Sequence, residues 1–162
     1  MNQQIQKISH RLDQIFKGQT WYGEPIFPKL KQLNFQHLND KANDHSASIA
    51  QLLKHMINWR HFVIAKLNGD ADYSIKMNSE EDWPQLTLED ESEWNQLLDQ
   101  LKESQEIIQQ LLSDKQDILL TQKVPGKAYN YELMLEGIIQ HDLYHFGQIC
   151  FLHKRLYSKI VL

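Results

Sequence analysis

The sequence predicts an all-α protein, folded as an antiparallel four-helix bundle with long connections. Three observations support this class. Four segments repeat apolar residues at intervals of three and four, the period of an amphipathic helix. Glycine and proline fall mainly between these segments. The length of 162 residues suits one domain, since single cores usually span roughly 100 to 200 residues, and we expect one domain over residues 1–162.

The first half of the chain holds two of the predicted long helices. The first covers residues 2–17 and ends at Lys17-Gly18, a basic last turn followed by a glycine stop. Residues 18–44 contain two glycines and two prolines, which predicts a long connection with a short helical piece at 26–33. Ser46 is the predicted N-cap of the second helix, whose apolar stripe runs from Ile49 to Leu67.

The second half of the chain holds the other two predicted long helices. Residues 70–87 give mixed signals and are predicted as a loop with a short strand at 73–77. The third helix is predicted at 88–113, a short extended segment at 118–120, and the last helix at 130–157. Gly137 and Gly147 interrupt this last helix at a cost of about 1 kcal/mol each relative to alanine. We therefore expect both glycines to pack closely against a neighbouring helix.

Charge and cysteine content exclude several classes of protein. Lysine and arginine total 17 against 21 acids, a formal net charge of -4, so the chain lacks the basic field of a typical nucleic-acid binder and we expect no direct nucleic-acid binding. The single cysteine, Cys150, has no intramolecular partner and is predicted to be a small buried hydrophobe. No apolar run resembles a signal peptide or a membrane span. These features predict a cytoplasmic protein that does not enter the membrane.

Three histidines are candidate metal ligands. His141 and His145 lie four residues apart on the last helix, so their Cβ atoms are about 5–6 Å apart on one face and the rings can share an ion. His55 lies on the flank of the apolar stripe of the second helix, where a polar ring needs a partner. Chance spacing and a buried histidine satisfied by an ordinary acceptor are the alternatives. Three histidines on one tetrahedral ion leave a fourth position exchangeable, as in catalytic sites.

Two segments also resemble signatures of the DinB/YfiT-like family. In HSASIAQLLKHMINWRHF, at 45–62, a serine-isoleucine start precedes a histidine and an aromatic-arginine pair. In ELMLEGIIQHDLYHFGQI, at 132–149, two histidines precede a Gly-Gln-Ile run. The segments TWYGEP and VPGKAYNYELM are similar to the connecting loops of the family. The resemblance covers most of the chain.

The resemblance implies a four-helix bundle, often dimeric, with a divalent metal ion held by three histidines. The matching positions here are His55, His141 and His145. Family members with an assigned activity include thiol S-transferases that use low-molecular-weight thiols such as bacillithiol or mycothiol, and related metal-dependent hydrolases or isomerases. The resemblance therefore implies a small-molecule substrate and a homodimer.

Three hypotheses for function follow. The first is a metal-dependent transferase that activates a low-molecular-weight thiol for attack on an electrophile. The second is a metal-dependent hydrolase that uses metal-activated water on a small ester or amide. The third is a non-catalytic binding or dimerisation bundle. Imidazole ligands suit several divalent ions, and we expect zinc first and nickel second.

Five further residues are weaker candidates. Asp142 follows the first histidine of the pair, giving HDxxH where a zincin has HExxH, and is either a catalytic acid or one that is solvated or supports a ligand. Gln148 either forms a hydrogen bond near the site or packs against a neighbouring helix. Trp59 and Tyr144 either line a pocket or belong to the core. His45, beside the predicted N-cap, is expected at the surface.

Overall fold

The computed structural model describes residues 2–157, so the outermost positions of the predicted domain, residues 1 and 158–162, lie outside the described part. Described residues form six α-helices and one 3-10 turn, at Phe35–His37. The helices are α1 (Gln3–Lys17), α2 (Ile26–Lys31), α3 (Ile49–Leu67), α4 (Glu91–Ser113), α5 (Ile118–Thr121) and α6 (Tyr131–Tyr157). No strand occurs between residues 2 and 157, and the all-α class predicted from the sequence is confirmed.

The core lies among the four long helices, α1, α3, α4 and α6. Helix α3 packs against α4 and α6, and α1 packs against the same two helices and against α2. Their inward faces carry the apolar residues whose spacing predicted the helices. Fully buried examples, one or more from each long helix, are Leu12, Ile49, Leu53, Leu101, Leu135 and Ile149. Within residues 2–157, none of the helices has the length and apolar character needed to cross a bilayer.

The start of α3 differs from the prediction. Its N-cap is Ser48, not Ser46: the Ser48 hydroxyl accepts the Gln51 N–H at 3.2 Å, and the Gln51 side-chain oxygen accepts the Ser48 N–H at 3.1 Å. This reciprocal pair is a capping box. Ser46 instead closes a turn with Asn43, since its hydroxyl accepts the Asn43 N–H at 3.0 Å. Helix α4 likewise begins at Glu91 rather than at residue 88, because Asp90 caps it.

Two predicted extended segments are absent from the described residues. Residues 73–77 form no strand, because the Asp70 carboxylate accepts the N–H groups of Asp72 and Tyr73 and turns the chain there. Residues 118–121 form the helical turn α5 instead of an extended segment. The preceding residue, Asp117, accepts the N–H groups of Gln4 and Ile5 at the start of α1. A local turn at Asp70 thus replaces the first predicted segment, whereas the second lies beside a contact that is distant in the sequence.

The prediction that Gly137 and Gly147 pack closely against a neighbour is wrong. A Cβ atom built at either position would meet no heavy atom within 4 Å. Gly126 is different, because its φ is +72° and a Cβ there would lie 2.4 Å from the carbonyl oxygen of Ala71. Glycine is thus required at position 126 by the backbone, whereas the two glycines of α6 border open space.

Candidate metal centre

Three histidines from two helices meet at one point between α3 and α6. His55 lies in the middle of α3, and His141 and His145 lie one turn apart on α6. The Nε2 atom of His55 is 3.0 Å from the Nε2 atom of His141 and 3.1 Å from that of His145. Each ring offers one nitrogen, and the three nitrogens lie within 4.8 Å of one another. We call this set the histidine cluster.

The other ring nitrogens of two members face hydrogen-bond acceptors. Nδ1 of His55 is 2.6 Å from the backbone carbonyl oxygen of Asp82. Nδ1 of His145 is 2.7 Å from the side-chain oxygen of Gln148. A carbonyl oxygen can only accept, so each Nδ1 carries the proton and donates it. In the neutral rings both Nε2 atoms therefore present an unprotonated lone pair to the cluster.

This arrangement fits a cation. The Nε2 atoms of His55 and His145 are 3.1 Å apart. In these tautomers no hydrogen lies between them, so two lone pairs face each other and repel unless both bind the same cation. Zinc holds imidazole nitrogens at about 2.0–2.1 Å in tetrahedral sites, which places pairs of ligand nitrogens about 3.3–3.4 Å apart. The observed separations lie close to that value. The neutral nitrogen donor set also suits nickel, copper and iron.

Burial favours the neutral form of two members of the cluster, His55 and His145, near pH 7. His55 and His145 are buried, and removal from water lowers the pKa of both rings. The pKa of His145 falls to about 4, chiefly through burial and then through the nearby His141 ring. The side chain of His141 is 24% exposed and is the member of the cluster nearest to solvent. Neutral imidazole is the form that binds a metal ion.

Comparison with known proteins identifies the family of this chain. The family model described as the DinB family matches residues 1–156. The chain belongs to the DinB family. The match spans all three histidines of the cluster, and the resemblance noted in the sequence is confirmed. Searches of curated proteins and of solved structures found no significant match.

The loop between α3 and α4 covers the cluster of this DinB protein. Besides accepting from His55 through its backbone, buried Asp82 accepts the Trp59 Nε1–H and the Asn78 N–H through its carboxylate, both at 2.8 Å. The next residue, Trp83, stacks on the His55 ring, with centroids 3.8 Å apart and planes 8° apart. Sequence reasoning missed Asp82 and Trp83, since one acid among 21 acids in the chain has no distinguishing spacing. The loop thus orients His55 and shields one of its faces.

A buried ion pair lies behind the cluster. Arg60 and Asp142 are completely buried, and one carboxylate oxygen of Asp142 accepts from Nε of Arg60 at 3.0 Å and lies 2.8 Å from Nη2. Nη1 of Arg60 donates to the side chain of Gln105 at 2.9 Å, so the group joins α3, α6 and α4. Asp142 is therefore not solvated, which corrects one alternative from the sequence. Its other oxygen lies 3.9 Å from Nδ1 of His141, beyond hydrogen-bond range.

A large cavity of about 820 Å³ adjoins the cluster on one side. Trp83, Tyr144 and Gln148 line it and also contact histidines of the cluster. Lys41 and Asp44 bring one charge of each sign to the wall. The cavity can therefore accept a polar or charged small molecule next to the histidines.

A smaller cavity of about 240 Å³ adjoins the cluster at another member, His141. Its wall is otherwise mainly apolar and aromatic, and Trp59 belongs to it. Trp59 and Tyr144 thus both line cavities, one of the two alternatives from the sequence. The cluster has two neighbouring spaces of different polarity.

Three other candidates have clear positions. Gln148 forms a hydrogen bond to a cluster histidine, the first of its two predicted alternatives. His45 is exposed, as expected, and lies on the wall of the large cavity. Cys150 is half-buried rather than buried, and its partial burial raises the pKa of its thiol. A raised pKa keeps the thiol protonated and makes it a poor nucleophile.

Proposed function

We propose that this DinB-family protein is a metal-dependent enzyme in which His55, His141 and His145 bind a divalent cation, with zinc the first expectation and nickel the second. The observation that carries the proposal is the 3.1 Å separation of two unprotonated ring nitrogens, those of His55 and His145. Bound by three imidazoles, a divalent cation would keep one open position and lower the pKa of a thiol or a water molecule there.

The reaction that we propose is transfer of a low-molecular-weight thiol to an electrophile. Two cavities of different polarity adjoin the cluster, which suits a reaction that joins two molecules. The large one, with Lys41 and Asp44 on its wall, suits a thiol that carries charged groups. With a chloroarene as electrophile, a C–S bond forms, the C–Cl bond breaks, chloride leaves, and the thiol proton passes to solvent. Hydrolysis of a small ester or amide needs only one organic substrate and is the alternative.

The residues around the cluster would prepare the site rather than take part in bond making. Asp82 and Gln148 fix the tautomers of two rings through their hydrogen bonds. Trp83 covers one face of His55 and keeps water from it. The Arg60–Asp142 pair holds the segment of α6 that carries His141 against α3. No residue among them is assigned as a general base.

Metal content tests the first part of the proposal. Protein purified without a histidine tag should contain close to one equivalent of a divalent metal by elemental analysis. The His55→Ala/His141→Ala variant should contain almost none, since two of three ligands are gone. His10→Ala is the matched control, because His10 is exposed on α1 and should leave the content unchanged. Equal metal content in wild type and double variant would support the non-catalytic alternative.

Product analysis tests the reaction. Metal-loaded protein is incubated with bacillithiol and 1-chloro-2,4-dinitrobenzene, and separately with p-nitrophenyl acetate. The proposal expects metal-dependent formation of the thiol conjugate, which mass spectrometry detects. Metal-dependent ester cleavage without any conjugate would replace the transferase by the hydrolase. A protein that binds metal and does neither would be a binding module.

Three properties of the whole protein complete the proposal. We propose that the four long helices form an antiparallel bundle, that the protein acts in the cytoplasm, and that it is a homodimer. The exposed apolar side chains of α6, Leu133, Tyr144 and Phe151, support self-association. Light scattering after gel filtration would measure the mass, and a monomer at micromolar concentration would contradict the dimer.

A further inference from the structure

The small cavity has an apolar wall and one reactive neighbour. Residues of α3 and α6 form most of the wall, and no aspartate, glutamate, lysine or arginine lines it. The imidazole of His141 forms part of the same wall. An uncharged group in this space would therefore lie directly beside the histidine cluster. The lining residues that matter most are Trp59, Phe62, Val63, Met134, Ile138 and His141.

Gly137 accounts for part of this space. It lies inside α6, where glycine lowers helix stability relative to alanine. Neither a positive φ nor close packing explains it, because its φ is not in the left-handed region and a Cβ atom would meet no heavy atom within 4 Å. Gly137 lines the small cavity, one turn before His141 on the same helix. Its missing side chain therefore enlarges the space next to His141.

We propose that this cavity binds the apolar group of the electrophilic substrate, and that Gly137 determines how large that group can be. This inference rests on the proposed function, because the bound group must react beside the cluster. In another protein, a cavity of about 150 Å³ binds benzene, so about 240 Å³ accepts a substituted aromatic ring or a branched alkyl group. The substrate class is thus a small uncharged electrophile with such a group.

The two cavities then separate the two substrates by polarity. The large cavity carries Lys41 and Asp44, whereas the small one carries no charged side chain. In the small cavity a charged thiol would lose its hydration without finding a polar partner. An apolar ring, in contrast, gains binding free energy when it moves from water into this cavity. Gly147 lies on the wall of the large cavity and also has open space beside it. It offers a matched control on the same helix.

Toluene is the probe that tests the inference. It is titrated into zinc-loaded protein while the NMR signals of the Met134 and Val63 methyl groups are followed, and zinc content is measured in the same samples. Saturable shifts of both signals are expected in wild type and in Gly147→Leu. In Gly137→Leu the new side chain fills the cavity, and toluene should bind at least about tenfold more weakly, which corresponds to about 1.4 kcal/mol.

Gly137→Ala serves as the second variant if the leucine variant fails to fold. Alanine fits without a clash, so this variant should melt at a higher temperature than wild type and still bind toluene more weakly. Toluene that leaves the two methyl signals of wild type unchanged, or that binds wild type and both Gly137 variants equally, overturns the inference. If toluene binds as expected but zinc does not, the proposed function fails and the apolar binding site stands.

Discussion

Asp82 is the residue that gathers most of the contacts around His55. Its backbone carbonyl accepts from the imidazole, and its carboxylate accepts from the Trp59 side chain and the Asn78 backbone. One oxygen of the carboxylate is also 3.2 Å from Nδ1 of His55. Hydrogen-bond acceptors behind an imidazole fix the orientation of its ring and raise the basicity of its other nitrogen. Asp82 in the loop therefore orients the His55 ring, whereas helix α3 sets the position of its backbone.

We predict that Asp82→Ala weakens both folding and metal binding. The indole N–H of Trp59 and the Asn78 N–H lose their acceptor, and two part-buried hydrogen bonds with a net value of about 0.5–1.5 kcal/mol each contribute about 1–3 kcal/mol to the unfolding free energy. The variant keeps the backbone carbonyl that accepts from His55 and loses only the carboxylate oxygen 3.2 Å from Nδ1, so metal affinity should fall by about 10-fold, the low end of the range for residues that orient a metal-binding histidine. Urea unfolding and chelator competition measure the two effects. Glu80→Ala changes an exposed residue of the same loop, so its unfolding free energy should stay within about 0.5 kcal/mol of wild type. Equal effects of Asp82→Ala and Glu80→Ala would refute the prediction.

The lowered pKa values predict acid sensitivity of the metal-free protein. The folded-state pKa of His145 is about 4, below the ordinary value near 6.5, so on acidification the unfolded state binds a proton before the folded state does. Stability is thus fully present above about pH 6.5 and is lost as the pH falls from there through about 4. His55, also lowered, acts in the same direction. Urea unfolding measured from pH 7.5 to 4 should show this loss of stability. The stability of His145→Gln should depend less on pH, and identical pH profiles of variant and wild type would contradict the role given to His145.

Residue spacing in the sequence predicts only part of this site. Four-residue spacing on one helix brings His141 and His145 together, and His55 is identifiable because it flanks an apolar stripe. Asp82 and Arg60 reach the site through contacts that span 27 and 82 residues along the chain. No local pattern encodes such contacts, since they depend on how the helices and the loop pack. The three histidines that form the cluster could therefore be predicted, whereas most of the residues that orient them could not.

At the level of elements, the buried Arg60–Asp142 pair joins the helices behind the cluster. We predict that Arg60→Met destabilises the protein by about 3–5 kcal/mol, because it leaves the carboxylate of Asp142 buried without a counter-charge. Adding Asp142→Leu should recover part of this loss, because the isolated charge is then gone. A double-mutant cycle by urea unfolding measures the coupling. Lys102→Ala is the control, because Lys102 belongs to an exposed i,i+4 pair on α4, and it should lower the unfolding free energy by less than about 1 kcal/mol. Additive effects of Arg60→Met and Asp142→Leu would refute the coupling.

Elements with a long apolar repeat were predictable, and short ones were not. Helices α1, α3, α4 and α6 match their predicted spans to within about three residues, because each buries a continuous stripe. The turn α5 contains four residues, too few for a period, and its neighbour Asp117 is bonded to the distant start of α1. The glycines of α6 were misread because their helical cost predicts a compensating contact, whereas they border cavities.

For the whole molecule, metal binding should appear as added stability. A ligand that binds only the folded state at 100 times its dissociation constant adds about 2.7 kcal/mol. In a protein of this size, each 1 kcal/mol raises the melting temperature by about 2–4 °C. Zinc should therefore raise the melting temperature by about 5–11 °C, and EDTA should reverse the shift. Differential scanning calorimetry measures it, with His55→Ala/His141→Ala as the control; an equal shift in that variant would place the zinc elsewhere.

The two halves of the histidine cluster lie far apart along the chain, and this has a consequence for biosynthesis. His55 precedes its partners on α6 by 86 and 90 residues. At about 5–20 residues per second, a ribosome needs roughly 5 to 20 s to add that length. During this interval a nascent chain displays only one of the three imidazoles of the histidine cluster, that of His55. Binding of a cation by all three imidazoles would therefore wait until the last helix has left the exit tunnel.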